Sequence, residues 1–348
     1  MTDAIAATCP VPHHEDEHVQ LGHGSGGQLM AELLDDVIVR ELGGEGPLED
    51  AAVLRVDGTD IVFSTDSFVV TPRFFPGGDI GSLAVYGTVN DLAMRGARPL
   101  ALALAYVLEE GFPIAELRAI TASVARATRA ADVPVVTGDT KVVGRGAADG
   151  IYLTTTGIGV RLPGACPSAA AGRPGDVVLL SGPIGAHGTA IMGAREGLGF
   201  QADIRSDSQP LHGLVAAMIA AGATDVHTLR DPTRGGVASV LNELAQASGV
   251  GIEIVESLVP VPPMVAAACE LLGLDPLHVA NEGCLVAIVA PKSADQVLAA
   301  MHGTPAGRGA TVIGRVTDGP AGLVTARTSI GSSRIVDMLI GEQLPRIC

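Results

Sequence analysis

Lysine is almost absent from this chain. It occurs twice, at Lys141 and Lys292, among 22 basic residues set against 38 acidic ones, for a formal net charge of −16. So few cations argue against nucleic acid and anionic membrane as partners, because both are gripped by a basic surface. Long apolar runs are lacking too. The longest, Leu100 to Leu108, has nine residues, against the roughly 20 that a spanning helix needs. No Lys or Arg precedes Arg40, so a secretory signal or transit peptide is not expected. Cysteine is sparse and scattered (Cys9, Cys166, Cys269, Cys284, Cys348) with no C-x-x-C pair. That spacing fits neither a disulfide framework nor a zinc site, and a reduced, cytoplasmic protein is the simplest reading. There is no G-x-x-x-x-G-K-[ST], no G-x-G-x-x-G after a strand, and no repeat of fixed period.

What remains is ample for two globular domains: 348 residues, 47% of them apolar. Glycine, at 45 residues, is nearly double its usual share of about 7%, which implies tight turns and backbone in close approach to ligands. Residues 1–20 read as a polar tail carrying His13, His14 and His18. A first domain is expected over 21–163. In it, Leu29, Leu33, Leu34, Val37, Ile38 and Leu42 recur at helical spacing, and two strands flank the hairpin signal Asp57-Gly58. Asp79 reads as an N-cap and Gly96 as a stop for the helix between them. Alternation marks strands over 100–108 and 152–160, a helix carries Leu117, Ile120, Val124 and Ala131, and a short strand covers 133–137. A second domain is expected over 164–330, with the turn 172–176 near its start. There, strands at 177–181, 252–255, 284–290 and 311–316 alternate with helices near 236–248, 263–272 and 293–302, an α/β pattern. Residues 331–348 read as a C-terminal arm. The class is α+β.

Four aspartates stand out. Asp66 and Asp139 are expected just past strand ends, where open sheets bind ligands. Asp50 directly precedes a strand. Asp91 lies on the apolar stripe of its helix, where a carboxylate is costly unless paired or metal-bound. Taken singly, Asp91 reads as the partner of Arg95 or Arg98; four such carboxylates among glycine-rich loops point to Mg²⁺ holding phosphate oxygens. Thr140 and Lys141 follow Asp139, and Lys141 is a pointed exception in an arginine-rich chain, suited to phosphate as a compact charge. Asp231-Pro232-Thr233-Arg234-Gly235-Gly236 opens a helix, and such an N-terminus with paired glycines can hold an anion. Gly24-Ser25-Gly26-Gly27 reads equally as a flap over phosphates or a linker. Glu282 reads as a general base or a turn carboxylate, and His187 as a structural residue or a substrate contact. Cys348 is the last residue, a thiol on what reads as a mobile arm kept extended by Pro345.

Together these segments resemble the HypE family, the carbamoyl dehydratases that make cyanide ligands for [NiFe]-hydrogenase. Gly22-His23-Gly24-Ser25-Gly26-Gly27, Ser64-Thr65-Asp66-Ser67, Gly87-Thr88-Val89-Asn90-Asp91, Thr137-Gly138-Asp139-Thr140-Lys141, Asp231 to Gly236, Ala280-Asn281-Glu282-Gly283 and the ending Pro345-Arg346-Ile347-Cys348 carry the likeness. One departure is Glu49-Asp50, where the wider superfamily often has paired aspartates. That superfamily includes aminoimidazole ribonucleotide (AIR) synthetase, selenophosphate synthetase and thiamine-phosphate kinase. The resemblance implies two α+β domains and a homodimer whose N-terminal sheets pair into a β-barrel, with ATP near the interface. It implies Mg²⁺ on Asp50, Asp91 and Asp231, with Asp66, Asp139, Thr140, Lys141, Gly235 and Gly236 around the nucleotide. It further implies that HypF carbamoylates Cys348, that ATP-dependent dehydration with Glu282 as base and Lys141 in support yields a thiocyanate, and that a HypC–HypD complex accepts the cyanide. Two rival readings stay in view: a selenophosphate-synthetase-like or AIR-synthetase-like enzyme, and a metal carrier using His13, His14, His18 and Cys9.

Overall fold

The computed structural model describes residues 18–43, 46–197, 204–341 and 346–348. Cys9, His13, His14 and Pro345 lie outside the described residues, and with them the carrier reading and the proline's expected role.

The helical spacing near the N-terminus is realised as α1 (Gln28–Leu33), a π-wound turn (Leu34–Val39) and α2 (Arg40–Leu42). The first sheet follows. β1 (Ala52–Val56) and β2 (Thr59–Phe68) pair from Val56↔Thr59 outward across the two-residue Asp57-Gly58 turn, as its sequence demands. A short ribbon, β3 (Phe74–Phe75) and β4 (Gly78–Asp79), leads into α3 (Ile80–Met94). The Asp79 carboxylate caps that helix, accepting from Gly81 N at 2.8 Å and Ser82 N at 3.0 Å. Then come β5 (Ala97–Glu109), α4 (Ile114–Ala131), β6 (Val135–Val143) and β7 (Ile151–Arg161). The sheet order is β1-β2-β7-β5-β6, with β5 and β6 parallel across α4 and the other pairs antiparallel.

Two expectations are corrected here. Asp66 and Asp139 lie within β2 and β6, not beyond their ends. In each case neighbouring strand pairing runs through the residue: Asp66 opposes Thr155, and Asp139 is in register with Ala105.

The second domain comprises β8 (Val177–Leu180), α5 (Ala186–Arg195), α6 (His212–Gly222), β9 (Val226–Arg230), α7 (Gly236–Ser248), β10 (Gly251–Val255), α8 (Pro263–Leu272), β11 (Val286–Val289), α9 (Pro291–His302), β12 (Thr311–Thr317), β13 (Val324–Arg327) and β14 (Ser333–Ile335). Its sheet, β14-β13-β10-β12-β8-β11-β9, is mixed: only β10 and β13 run parallel. Both faces are covered. Val178, Leu180, Val286 and Ile288 pack with α7, while Leu179, Ala287 and Val289 pack with α6 and α9. That two-sided burial is why β8 and β11 read as unbroken apolar runs. In this domain the elements the sequence did not disclose are α5, α6, β9, β13 and β14. α6 is apolar nearly all round, so it presents no stripe to detect.

The expected arm is shorter than 331–348. Residues 333–335 form β14 and Val336 is buried in the core. Among the described residues of the arm, 346–348 are docked, not free. They run antiparallel along 69–71, with Val69 N donating to Cys348 O (3.1 Å) and Thr71 N to Arg346 O (3.2 Å). The Ile347 side chain is 3% exposed, inside a core shared by α3, α4, α5 and α8.

Candidate active site

Six segments converge on one cleft of about 710 Å³. The segment before β1 brings Asp50, β2 brings Asp66, α3 brings Asp91, the turn after β9 brings Asp231 and Arg234, the loop before β11 brings Glu282, and the docked tail brings Cys348. α3 can lie this close to β2 because residue 87 is glycine. A Cβ there would stand 2.8 Å from the Phe68 ring, pushing away the turn that carries Asp91.

Asp50, Asp91 and Asp231 have carboxylate oxygens all within 4.8 Å of one another. The expected pairing of Asp91 with Arg95 or Arg98 does not occur. Arg95 binds Glu49 at 2.7 Å, and Asp91 instead accepts from Ser64 Oγ at 2.7 Å. Glu49 is thereby assigned to structure, as it also accepts from Ser168 Oγ at 2.6 Å. Asp50 receives Arg230 Nε at 2.9 Å, and the same guanidinium reaches Glu243 at 3.0 Å.

Burial drives the titration of this cluster. It raises Asp50 to about 8 against the pull of Arg230, and Asp231 to about 6. It lifts Asp91 well above the usual carboxylate range, with Asp231 and Asp50 adding repulsion. Asp66 is raised by burial as well, opposed by Arg234. Three carboxylate oxygens this close, in so acidic a cluster, match the donor type and spacing of a hard divalent cation. The residues therefore fit Mg²⁺.

A prediction follows. Carboxyls raised in the fold stabilise it below their unfolded value near 4, and that contribution fades as pH rises through about 6 and about 8. Metal favours the ionised form. The rise in Tm on adding Mg²⁺ should therefore be larger at pH 8 than at pH 5.5, and Asp91→Asn should abolish most of it. Asp91→Asn should also weaken Mg²⁺-ATP binding about tenfold or more by isothermal titration. Wild-type affinity in the variant would place the metal elsewhere.

Glu282 is 4% exposed, and burial raises its carboxyl well above the ordinary range, with Asp231, Asp207 and Asp66 adding to the effect. Its backbone is braced on both sides. The Asp207 carboxylate accepts from Glu282 N (3.2 Å) and Gly283 N (3.1 Å), and Asn90 Nδ2 reaches Glu282 O (3.5 Å). Asn281 Nδ2 ties the same loop to Pro232 O at 3.0 Å. Burial pushes the docked Cys348 thiol up to about 12, despite the Arg234 guanidinium that pulls it down. Among the described residues that guanidinium makes no hydrogen bond or ion pair. It faces Cys348, Asp66 and Glu282 across the cleft.

The other expected residues fall differently. Gly235 and Gly236 do not line the cleft. Their φ values of +73° and +63° turn the chain into α7, and a Cβ on Gly236 would stand 2.5 Å from Leu277 O. They aim Thr233 and Arg234 inward. Gly26 and Gly27 do line the cleft, and Gly26 seats against Arg234. Asp139, Thr140 and Lys141 stand apart from the cleft of their own chain. They lie on exposed edge strand β6, where Lys141 Nζ meets Asp139 at 2.5 Å and the two side chains are 67% and 60% exposed. Lys141 holds the Asp139 carboxyl below its usual range. Arg230, Arg234, Ser64 and Asp207 were not singled out by sequence. Two of them had a signal: Arg234 lies inside the Asp231–Gly236 motif and Ser64 inside Ser64-Thr65-Asp66-Ser67.

Two family models cover the chain in succession: AIR synthase related protein, N-terminal domain, over 48–161, and AIR synthase related protein, C-terminal domain, over 173–326. Fold and cleft thus define a two-domain AIR synthase related protein. Among curated relatives, the carbamoyl dehydratase HypE of Azotobacter vinelandii is 55% identical over 95% of this chain and 97% of its own length, and that of Escherichia coli K12 is 43% identical over 95% and 99%. A solved HypE–HypF complex matches at TM-score 0.84 and 48% identity over 88% of this chain and 99% of that one. The hydrogenase maturation protein HypE in complex with ATP matches at 0.80 and 45%, over 93% and 98%. The chain belongs to the HypE family, the carbamoyl dehydratases of hydrogenase maturation. Among the described residues, no helix is long and apolar enough to cross a membrane.

Proposed function

We propose that this protein uses ATP to dehydrate a carboxamide carried on Cys348 to a thiocyanate, which then supplies cyanide to iron during [NiFe]-hydrogenase maturation. The observation that carries this reading is the docking of the terminal thiol into an acid-lined cleft between a metal-type aspartate triad, Glu282 and Arg234.

The thiol's chemistry divides the cycle. Docked, Cys348 is held up to about 12 and is a poor nucleophile at neutral pH. Released into water, it regains a thiol's ordinary value near 8.5 and can accept a carbamoyl group. HypF is the donor the family implies. An S-carboxamide is neutral, so returning it to the buried site adds no charge to the low-dielectric interior. In the cleft the carboxamide oxygen attacks the γ-phosphorus of ATP and ADP leaves. Glu282 takes one N–H proton, the departing phosphate carries off the other as the C–O bond breaks, and the nitrile remains on sulfur. Arg234, which makes no hydrogen bond or ion pair among the described residues, faces the charge that develops on the transferred group. Mg²⁺ on Asp50, Asp91 and Asp231 would neutralise phosphate oxygens. A HypC–HypD complex is the proposed acceptor, and the reduced thiol this cycle requires suits the cytoplasm.

We propose a homodimer, closed where the first sheet leaves an apolar face and the β6 edge uncovered: Phe63 and Ile158, with Val136 and Val142 at the edge. A second copy laid there would complete a barrel and remove the edge. Asp139, Thr140 and Lys141 would then serve the partner's nucleotide.

Intact mass after incubation with HypF, carbamoyl phosphate and ATP tests the cycle. Sequential appearance of a carboxamide and then a nitrile on the C-terminal peptide supports it; no adduct on Cys348 overturns it. For the dimer, Lys141→Ala should lose about 10²–10³ in rate. Mixed with Glu282→Gln, it should regain activity through hybrid dimers carrying one intact site. Absence of complementation would confine Lys141 to its own chain.

A further inference from the structure

His187 takes no part in the chemistry above, yet it touches the residue next to the reactive one. It sits in the first turn of α5, wholly buried, with its ring edge against Phe75 at a centroid distance of 5.5 Å. Its Nε2 lies 2.9 Å from Ile347 O and its Nδ1 lies 2.8 Å from Ser206 Oγ. A carbonyl only accepts, so Nε2 carries the hydrogen and Nδ1 accepts from the Ser206 hydroxyl. Ser206 is itself fixed: its N donates to Pro76 O at 2.8 Å, and its Oγ accepts from Ser208 N at 3.1 Å. Ring, tautomer and tail are thus linked by one chain of hydrogen bonds.

We infer that His187 is a latch: a positioning residue that, together with the buried Ile347 side chain, fixes the register in which the C-terminal tail docks and so where the sulfur of Cys348 stands. The inference rests on the carrier role proposed for Cys348.

The Ile347 side chain, 3% exposed, and the bond from Arg346 Nε to Val69 O (3.1 Å) also constrain the register, whereas the remaining holds are less selective. Val69 and Thr71 pair with it through backbone groups, which do not distinguish one residue from another, so by themselves they would tolerate a slip of two residues. Such a slip would move the sulfur by roughly 7 Å, at about 3.3 Å per residue, away from Glu282 and Arg234. Arg195 donates to both Thr71 O (2.8 Å) and Arg346 O (3.0 Å) through a long side chain that can follow a shift. The His187 ring is short, buried and held by Ser206, so it meets one carbonyl only, that of Ile347. With both ring nitrogens engaged, it has none left to exchange protons with a substrate.

The test uses the full-length protein as wild type, His187→Ala and His187→Gln, whose amide nitrogen reaches about where Nε2 lies. Two rates are read. One is alkylation of Cys348 by iodoacetamide, followed on the C-terminal peptide. The other is single-turnover dehydration of protein already carbamoylated by HypF. In His187→Ala, alkylation should rise and dehydration fall by about five- to tenfold each, the population change expected from one lost hydrogen bond. Carbamoylation should rise or hold, because HypF takes the released tail, and Mg²⁺-ATP affinity should stay within about twofold. His187→Gln should return both rates to within about threefold of wild type. Wild-type alkylation in His187→Ala overturns the latch, as does slow dehydration with unchanged alkylation. Equal damage in the Gln and Ala variants also overturns it, because that marks a core role alone. If His187→Ala fails to fold, Ser206→Ala, which frees the ring, should raise alkylation about two- to threefold, and no change refutes the idea. Should wild type itself form no nitrile, the proposed reaction fails while the alkylation rates still decide the latch.

Discussion

Cys348→Ala should abolish carbamoyl acceptance and all cyanide-ligand output while leaving a folded protein that binds Mg²⁺-ATP as wild type does. The nucleophile is gone, and no described cysteine can replace it. Cys269 and Cys284 are buried, and burial pushes Cys284 up to about 12. Cys166 is exposed, but it sits in a connection pinned at Ala165 and Ser168 by backbone hydrogen bonds to Leu162 and His227. Stability should change by about 0.5 kcal/mol or less, because the tail is held by Ile347 burial and by backbone bonds that alanine retains. Melting curves paired with intact-mass spectrometry make the comparison. A stable variant carbamoylated at another cysteine would refute the carrier role.

Glu282→Gln should cost about 10²–10⁴ in the dehydration rate, the range for losing a positioned general base. The substitution keeps shape and burial, and Asp207, Asn90 and Asn281 hold the loop through backbone groups the variant still has. ATP affinity and carbamoylation should survive, so the carboxamide should accumulate on Cys348. The wild-type rate should rise with pH as the raised Glu282 carboxyl ionises, and the variant should lose that limb. A variant rate within about threefold of wild type, roughly 0.65 kcal/mol on the barrier, would hand the role to another carboxylate.

Much of the fold was legible because local physics dictated it. The Asp57-Gly58 hairpin, the Asp79 cap and the helices at 236–248, 263–272 and 291–302 follow from turn chemistry, capping and amphipathic period. The hidden elements are those whose sequence lacks contrast. α6 is apolar on nearly every face, so no stripe marks it, and β9 and β13 are short strands whose partners β11 and β10 lie far away in the chain, while β14 is a three-residue strand too short to show a period.

The residue types of the site, and most of its members, were set by sequence alone. A carboxylate on an apolar helix stripe, a motif of Asp, Arg and paired glycines before a helix, and a terminal cysteine each carry their own chemical signature. What tertiary structure decided is which of them meet. Asp50, Asp66, Asp91, Asp231, Arg234, Glu282 and Cys348 come from six separate segments into one cleft, whereas Asp139, Thr140 and Lys141 are held away from it on the β6 edge. The proton affinities of the cluster, the placing of Arg234 opposite Cys348 and the grip of His187 on Ile347 arise from burial and through-space contact. No local pattern encodes these, because desolvation and hydrogen-bond geometry depend on what the rest of the chain packs around each group.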